Sequence, residues 1–387
     1  MREVVVIGVG MHPFGKYLEK GLKELGREAA WKAIEDAGVS LPDIQVAYVS
    51  NALAGLITGQ EGVRGEVVLR DAGFSGIPII NVENACASAS TAFRGAWMEV
   101  ACGMADVALA LGVEKLYSQD TRQSIKALAA DSDLELGRLG FQFTSYYAME
   151  LKKYMQRSGA TREHFAQVVV KNSHNGSLNP HAQHRRPLSL EEVLGSRVIA
   201  DPLTLYMCSS MADGAAAAIL CAREVAHKFT SGPLVEVATC CLRSSMFRRP
   251  GEETESSTTI TVKQAYKLAG VGPEDIDVIE VHDAMAPAEL MIYEELGLCG
   301  PNEGPMLIEE GATTLKGRIP VNPSGGLAAK GHPVGATGLA QISEIVWHLR
   351  GQAGARQVEG AKVGMVHNVG GFVEWDNAAN TITILKR

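Results

Sequence analysis

One cysteine and three histidines stand where the chain turns sharply or leaves an apolar run, and together they make a candidate nucleophilic centre. Cys86 lies in "VENACASAS", directly after the strand-like "IPIINV" and at the head of a run of small residues that reads as a helix. His332 lies in "NPSGGLAAKGHPVGATG", where glycines and two prolines allow close backbone approach and hold an imidazole in a fixed loop. His282 and Asp283 in "EVHDAMAPAE" end a valine-rich strand, and His367 in "MVHNVGGF" ends the strand-like "AKVGMV". A helix N-terminus favours a thiolate, a neighbouring imidazole can take the thiol proton, and backbone N–H groups near Gly370 and Gly371 can hold a developing oxyanion. Against this stands the ordinary reading of a cysteine as a small core residue.

Other motifs are weaker. "GVGMHPFG" has Pro13 where a dinucleotide loop needs its third glycine after Gly8 and Gly10, so no nicotinamide site is expected. His181 and His184 in "HAQH" have a metal-like spacing but sit between Pro180 and Pro187, so a loop facing solvent or ligand is expected rather than zinc. Arg243, Arg248 and Arg249 in "RSSMFRRP" could meet phosphates or form a solvated basic turn. The other six cysteines, Cys102, Cys208, Cys221, Cys240, Cys241 and Cys299, read as core or loop thiols, and no CxxC pair occurs. No metal is assigned to this chain.

The elements that must carry these residues repeat. "DAGVSLPDIQVAYVSNA" (36–52) lies without gaps on "LAGVGPEDIDVIEVHDA" (268–284) at an offset of 232, and eight of seventeen positions are identical, where chance gives roughly one. In each copy an amphipathic helix (Trp31, Ile34 and Ala37 in the first) stops at Ala-Gly, and an acidic turn feeds a strand. Each half also opens with a strand candidate, "EVVVIGV" and "PLVEVATC", and carries a small-residue helix expected to lie buried between layers. Fold class is therefore α/β. The expected parts are an N-terminal half (1–117 plus 202–232), a loop-like, substrate-covering insertion rich in Tyr, Phe and His (118–201), and a C-terminal half (233–387).

The 387 residues, 46% hydrophobic and 21% charged, are an ordinary globular composition. A formal net charge of −8 argues against nucleic-acid binding, which needs clustered cations. No apolar run reaches the length of a membrane span, and an odd cysteine count without even spacing suggests a reducing compartment, here taken as the cytoplasm.

At these residues the sequence resembles the thiolase family, particularly its sterol-carrier-protein-2-type (lipid-transfer-like) branch. "VENACASAS" is similar to the family's nucleophile segment and "GGLAAKGHPVGATG" to its histidine loop. "SSMADGAAAAIL" is similar to the strand closing its first half, and "HDAM" to the branch's replacement for Asn-Glu-Ala-Phe. The resemblance implies two βαβαβαββ halves in a five-layered αβαβα arrangement, dimeric or larger. It implies that Cys86 is acylated, that His332 takes its proton, that His282 polarises the thioester carbonyl, and that backbone at Cys86 and Gly370 forms the second oxyanion hole. His367 replaces the family's second catalytic cysteine and would move a proton at the substrate α-carbon or a leaving thiol. Val369 replaces the first glycine of the family's run, and Met285 replaces an aromatic, which would suit a bulky acyl chain. Met285, Arg248, Arg249 and His184 are the candidate contacts to acyl-CoA.

The implied reaction is cleavage of a 3-oxoacyl-CoA by coenzyme A, or the reverse Claisen condensation. Candidate substrates are benzoylsuccinyl-CoA or a similar bulky aromatic, and acetoacetyl-CoA. No permanently bound cofactor is expected; coenzyme A is a co-substrate, and zinc is expected only in a small OB-fold (DUF35-type) partner subunit. Rival readings are a thiolase-fold retro-aldolase of steroid side chains and a non-catalytic acyl-CoA or lipid-binding subunit.

Overall fold

A computed structural model describes residues 1–131, 133–247, 255–374 and 376–387. Its strands are β1 (Val4–Gly15), β2 (Val46–Ser50), β3 (Ile79–Val82), β4 (Val107–Glu114), β5 (Val198–Ala200), β6 (Leu203–Thr204), β7 (Asp213–Ala222), β8 (Val235–Ser244), β9 (Val278–Glu280), β10 (Val363–Val373) and β11 (Asp376–Lys386). Nine of them form one sheet in the order β3-β2-β4-β7-β1-β8-β11-β10-β9, and β5 pairs with β6. At its centre β1 meets β8 through Val5 with Glu236 and Val6 with Val235, so two half-sheets join at a narrow seam.

Side-chain alternation shows why both faces of each half-sheet are apolar. Val4, Val6, Ala108, Ala110, Ala216 and Ala218 face one core, and Val5, Ile7, Leu109, Leu111, Ala215 and Ala217 face another. In the second half Cys240, Val278 and Val366 share the first core, while Cys241, Ile279 and Met365 join a third. The first core holds the two small-residue helices, Ser88–Ala101 and Thr337–Arg350, between the half-sheets. Helix Leu22–Ala37 covers one outer face and helix Ser257–Ala269 the other, which gives the five expected layers.

The internal repeat reaches the hydrogen bonds. The N–H of Ala47 donates to the Pro78 carbonyl, and 232 residues on, that of Ile279 donates to Pro320, each at 3.0 Å. Gln45 accepts from the N–H of Asp106 and Val107, as its counterpart Asp277 accepts from Lys362 and Val363.

Three expectations need correction. Trp31 is 38% exposed rather than on the buried face of its helix, because its indole N–H reaches out to the Ala72 carbonyl at 3.1 Å. Segment 118–201 is not loop-like: it carries helices Phe143–Ser158 and Arg162–Ser177, the first burying Ala148, Leu151 and Tyr154 at helical spacing. His367 is not at a strand end, because β10 runs on to Val373 while β11 pairs with it from Val363–Lys386 to Val373–Asp376. In keeping with the broken dinucleotide motif, Gly8 and Gly10 both lie in β1, where an added Cβ on Gly8 would stand 2.6 Å from the Ala37 Cβ. They let helix Leu22–Ala37 approach the strand.

Candidate active site

The nucleophile turn is over-determined. After β3 the chain enters a 3₁₀ turn, Ala85–Ala87, with Ala85 at φ +50°, a left-handed conformation costly for a residue with a Cβ. The Ser88 hydroxyl accepts from the Asn84 N–H (2.8 Å) and donates to the Ala85 carbonyl (2.6 Å). From behind, Gly370 of β10 presses on the turn: an added Cβ would stand 2.9 Å from the Cys86 nitrogen and closer still to the Asn84 oxygen and Ala87 nitrogen. Cys86 is left at the apex with its Sγ facing two partners.

The first is His332, whose Nε2 lies 3.2 Å from Sγ. Its Nδ1 is 2.7 Å from the Thr337 hydroxyl, which donates its own proton to the Pro333 carbonyl at 3.0 Å. A hydroxyl has one proton, so toward His332 it accepts; Nδ1 therefore carries hydrogen and Nε2 presents its lone pair to the thiol. Burial, with Lys330 nearby, lowers the imidazole to about 3, and burial and then Asp131 push the Cys86 thiol well up. The resting pair is thus thiol and neutral imidazole, not the thiolate anticipated for a helix N-terminus, because desolvation outweighs the helix end here.

The His332 loop is gripped from both sides. Glu280 at the end of β9 accepts from Ser324 and Lys330, and Asp283 accepts from the Leu327 N–H at 2.8 Å. Across the molecule Glu114 accepts from the Gly335 N–H, and the Ser50 hydroxyl donates to the Gly335 carbonyl, each at 2.8 Å.

His282 stands edge-on to His332, ring centroids 5.2 Å apart. Asn368 fixes it: the amide oxygen takes the Ser90 hydroxyl (2.9 Å), so the amide N–H donates to His282 Nδ1 (3.0 Å). That leaves Nε2–H as the donor of a cavity-lining ring. Ser90 can reach because Gly338 lacks a side chain; a Cβ there would stand 2.7 Å from the Ser90 nitrogen. Ligand atoms of Cys86, His282 and His332 all lie within 4.8 Å of one another, a possible metal set by distance. The proton that Asn368 imposes on His282 Nε2 opposes ligation.

A cavity of about 390 Å³ opens on Cys86, His282, His332, Gly370 and Gly371. Its wall is apolar and aromatic: Phe141, Phe143 and Tyr147 from the insertion, with Met285, Val369 and Phe372. Phe372 is the hub, 4.6 Å from the Tyr146 ring and 5.7 Å from that of Phe143. The second partner of the thiol, Asp131, also lines this wall, its Oδ2 3.4 Å from Sγ.

The remaining expected residues scatter. His367 is buried, neither of its ring nitrogens has a hydrogen-bond partner among the described residues, and it is not among those lining the cavity. Burial lowers it to about 3. His184 is exposed and bonds the Ser210 hydroxyl at 2.9 Å, while His181 stacks on Trp347. Arg248 and Arg249 lie outside the described residues. Cys208, expected to be a plain core or loop thiol, lines the cavity, and all seven cysteines are free. Sequence reasoning missed Thr337, Asn368 and Asp131. The first two lie inside the quoted "GHPVGATG" and "HNVGG" and were overlooked because they are uncharged; Asp131 lies in no motif.

No helix among the described residues is long and apolar enough to cross a membrane. Residues 4–224 match the family model for the thiolase N-terminal domain, and 242–387 the one for a thiolase C-terminal domain-like region. The chain is 42% identical to an acetyl-CoA acetyltransferase of Methanothermobacter thermautotrophicus, over 96% of this chain and 97% of the relative. It is 40% identical to the benzoylsuccinyl-CoA thiolase subunit BbsB of Thauera aromatica, over 96% and 95%. Bos taurus sterol carrier protein 2 is 39% identical over 95% of this chain and 70% of its own length. In fold it resembles the Ltp2-ChsH2(DUF35) aldolase (TM-score 0.80, 24% identity, 98% and 97% covered). It also resembles human mitochondrial 3-ketoacyl-CoA thiolase (TM-score 0.76, 19% identity, 100% and 98% covered). Matched along both halves and by relatives of nearly its full length, the chain belongs to the thiolase family of acyltransferases.

Proposed function

We propose that the protein cleaves a 3-oxoacyl-CoA with coenzyme A through an acyl-Cys86 intermediate, or runs the same steps in reverse as a condensation. The observation that carries this is the 3.2 Å contact between Cys86 Sγ and a His332 Nε2 whose lone pair is fixed by Thr337. His332 takes the thiol proton as sulfur attacks the 3-oxo carbonyl, and returns it when the thiol is released. The His282 Nε2–H donates to a thioester oxygen as negative charge grows on it, and the Cys86 N–H, beside Gly370, donates to the oxyanion on the attacked carbon.

An aromatic wall with Met285 in place of a rigid ring supports a bulky, aromatic 3-oxoacyl-CoA such as benzoylsuccinyl-CoA over acetoacetyl-CoA. Free thiols throughout support a cytoplasmic setting. A homodimer or larger assembly with a small zinc OB-fold subunit is part of the proposal. One relative is itself a thiolase subunit, and a protein of the same fold is solved with a DUF35 partner. Such a cysteine, with its base in contact, is machinery a retro-aldolase does not need.

Intact-protein mass spectrometry after mixing with acetoacetyl-CoA or an aromatic 3-oxoacyl-CoA is expected to show an acyl adduct that maps to Cys86 and disappears in Cys86→Ala. An adduct that survives Cys86→Ala, or cleavage that proceeds without coenzyme A, overturns the proposal.

A further inference from the structure

We propose that Asp131 is the acid and base that serves the substrate's α-carbon, the task expected of His367. The proposal rests on the thiolase reading above and assigns the one proton that His332 and His282 leave unaccounted for.

Position carries it. Asp131 lines the cavity with an oxygen 3.4 Å from Cys86 Sγ. When sulfur bonds the 3-oxo carbon, the α-carbon is the next atom along the substrate, so a group in contact with the sulfur is in reach of it. The Asp131 segment is anchored where the substrate must lie: the Asp133 N–H donates to the Phe372 carbonyl at 3.4 Å, beside Gly370 and Gly371 of the cavity wall. His367 offers none of this, its imidazole being buried off the wall with neither nitrogen hydrogen-bonded among the described residues. Tyr147 is on the wall, but burial pushes its phenol well above the range in which it could exchange a proton at neutral pH.

The surroundings suit the task. The groups that act on the charge of Asp131 are Cys86, Glu83 beside it in the nucleophile turn, and Glu114 at the end of β4, all of them acidic, and the imidazoles of His332 and His282 and the Tyr147 phenol, which burial keeps neutral, share the cavity wall. Burial foremost, with Glu83 and Glu114 adding to it, raises the carboxyl to about 8 despite its bond to Cys86. Near neutral pH it is protonated, yet close enough to its midpoint to act in both directions.

The steps balance. As Cys86 Sγ adds to the 3-oxo carbon, its proton goes to His332. The bond between the 3-oxo carbon and the α-carbon then breaks, its electron pair remains on the α-carbon as a thioester enolate, and the Asp131 O–H delivers the proton. The Asp131 carboxylate next takes the proton of the incoming coenzyme A thiol, whose sulfur displaces Cys86; the departing Cys86 thiolate recovers its proton from His332.

The test separates this proposal from the reading beneath it. Wild type and the isosteric Asp131→Asn are mixed with acetyl-CoA in heavy water, and two quantities are followed: the acyl adduct on Cys86 and deuterium entering the α-carbon of acetyl-CoA. The expected result is that Asp131→Asn still reaches the adduct, more slowly because coenzyme A then departs as its thiolate without a proton from Asp131, while exchange falls by roughly 10²–10⁴-fold, the usual worth of a positioned acid–base group. Wild-type exchange should rise with pH through a limb near 8, where the carboxylate forms, and the variant should lack that limb. Exchange at the wild-type rate in Asp131→Asn overturns the proposal, as does loss of the adduct together with exchange, which would make Asp131 a positioning residue for the sulfur. If Cys86 takes no acyl group even in the wild type, the thiolase reading itself fails and this proposal falls with it.

Discussion

Thr337 offers a test of the tautomer on which acylation depends. Replacing it by valine keeps the shape of the side chain and removes the one acceptor of His332 Nδ1–H, now 2.7 Å away. The ring is 7% exposed, so water cannot substitute fully, and a buried N–H without an acceptor costs about 1–3 kcal/mol. His332 can avoid that cost by moving its proton to Nε2, which removes the lone pair facing Cys86. The competent tautomer is then disfavoured by the same amount, and the first-turnover acylation rate should fall by roughly 5- to 150-fold in proportion to its population. Rapid-quench mass spectrometry of the Cys86 adduct measures this directly. Substrate affinity should change little, because Thr337 is buried and not among the described cavity-lining residues. Thr337→Ser, which restores an acceptor, should recover most of the rate. Acylation by Thr337→Val within about twofold of wild type would refute the reasoning, since it would mean that the tautomer is set by something other than this hydroxyl.

Gly370→Ala is expected to drive a methyl into the backbone of the nucleophile turn, which has no flexible side chain to yield. A shift of about 1 Å in that turn should cost roughly 10²-fold in kcat, and a melting temperature measured alongside separates this from the overpacking cost of about 1–3 kcal/mol. Asp131→Asn should also stabilise the protein with a particular pH dependence. The folded carboxyl titrates at about 8 against an ordinary 3.8, so this group's contribution to stability is greatest below about pH 4 and is lost as pH rises toward 8. Asparagine removes the loss, and the variant should gain at least about 1.4 kcal/mol over wild type between pH 4 and 8, one unit's worth of the shift. Thermal melts at the two pH values check it; an equal difference at both would contradict the assigned environment.

Much of this was legible in the sequence, for identifiable reasons. Cys86, His332 and His282 each sit beside a turn or strand end that glycine, proline or the internal repeat marks, and all three meet in one cavity. His367 stands out in the sequence by its place after an apolar run and before a Gly pair, and by taking the position of the family's second cysteine. Its neighbour Asn368 makes the contact to His282, because adjacent residues of a strand face opposite ways and sequence alone does not say which face is inward. The insertion was judged by its polar and aromatic composition, which hid the spacing of Ala148, Leu151 and Tyr154 that makes it helical. The thiol's acidity was judged from the helix end alone, since burial is a property of the assembled layers and not of "VENACASAS".

The two halves hold each other's reagents. Cys86 belongs to the first half, yet Gly370 of the second sets its turn; His332 belongs to the second, yet Ser50 and Glu114 of the first clasp its loop. Ser50 is the repeat counterpart of His282, so the same strand end supplies a reagent in one copy and a clamp in the other. Neither half therefore holds a complete site by itself. A perturbation that parts the halves is thus felt first as a loss of chemistry, because the β1–β8 seam joins the sheet through two residue pairs while the reagents reach across from both sides.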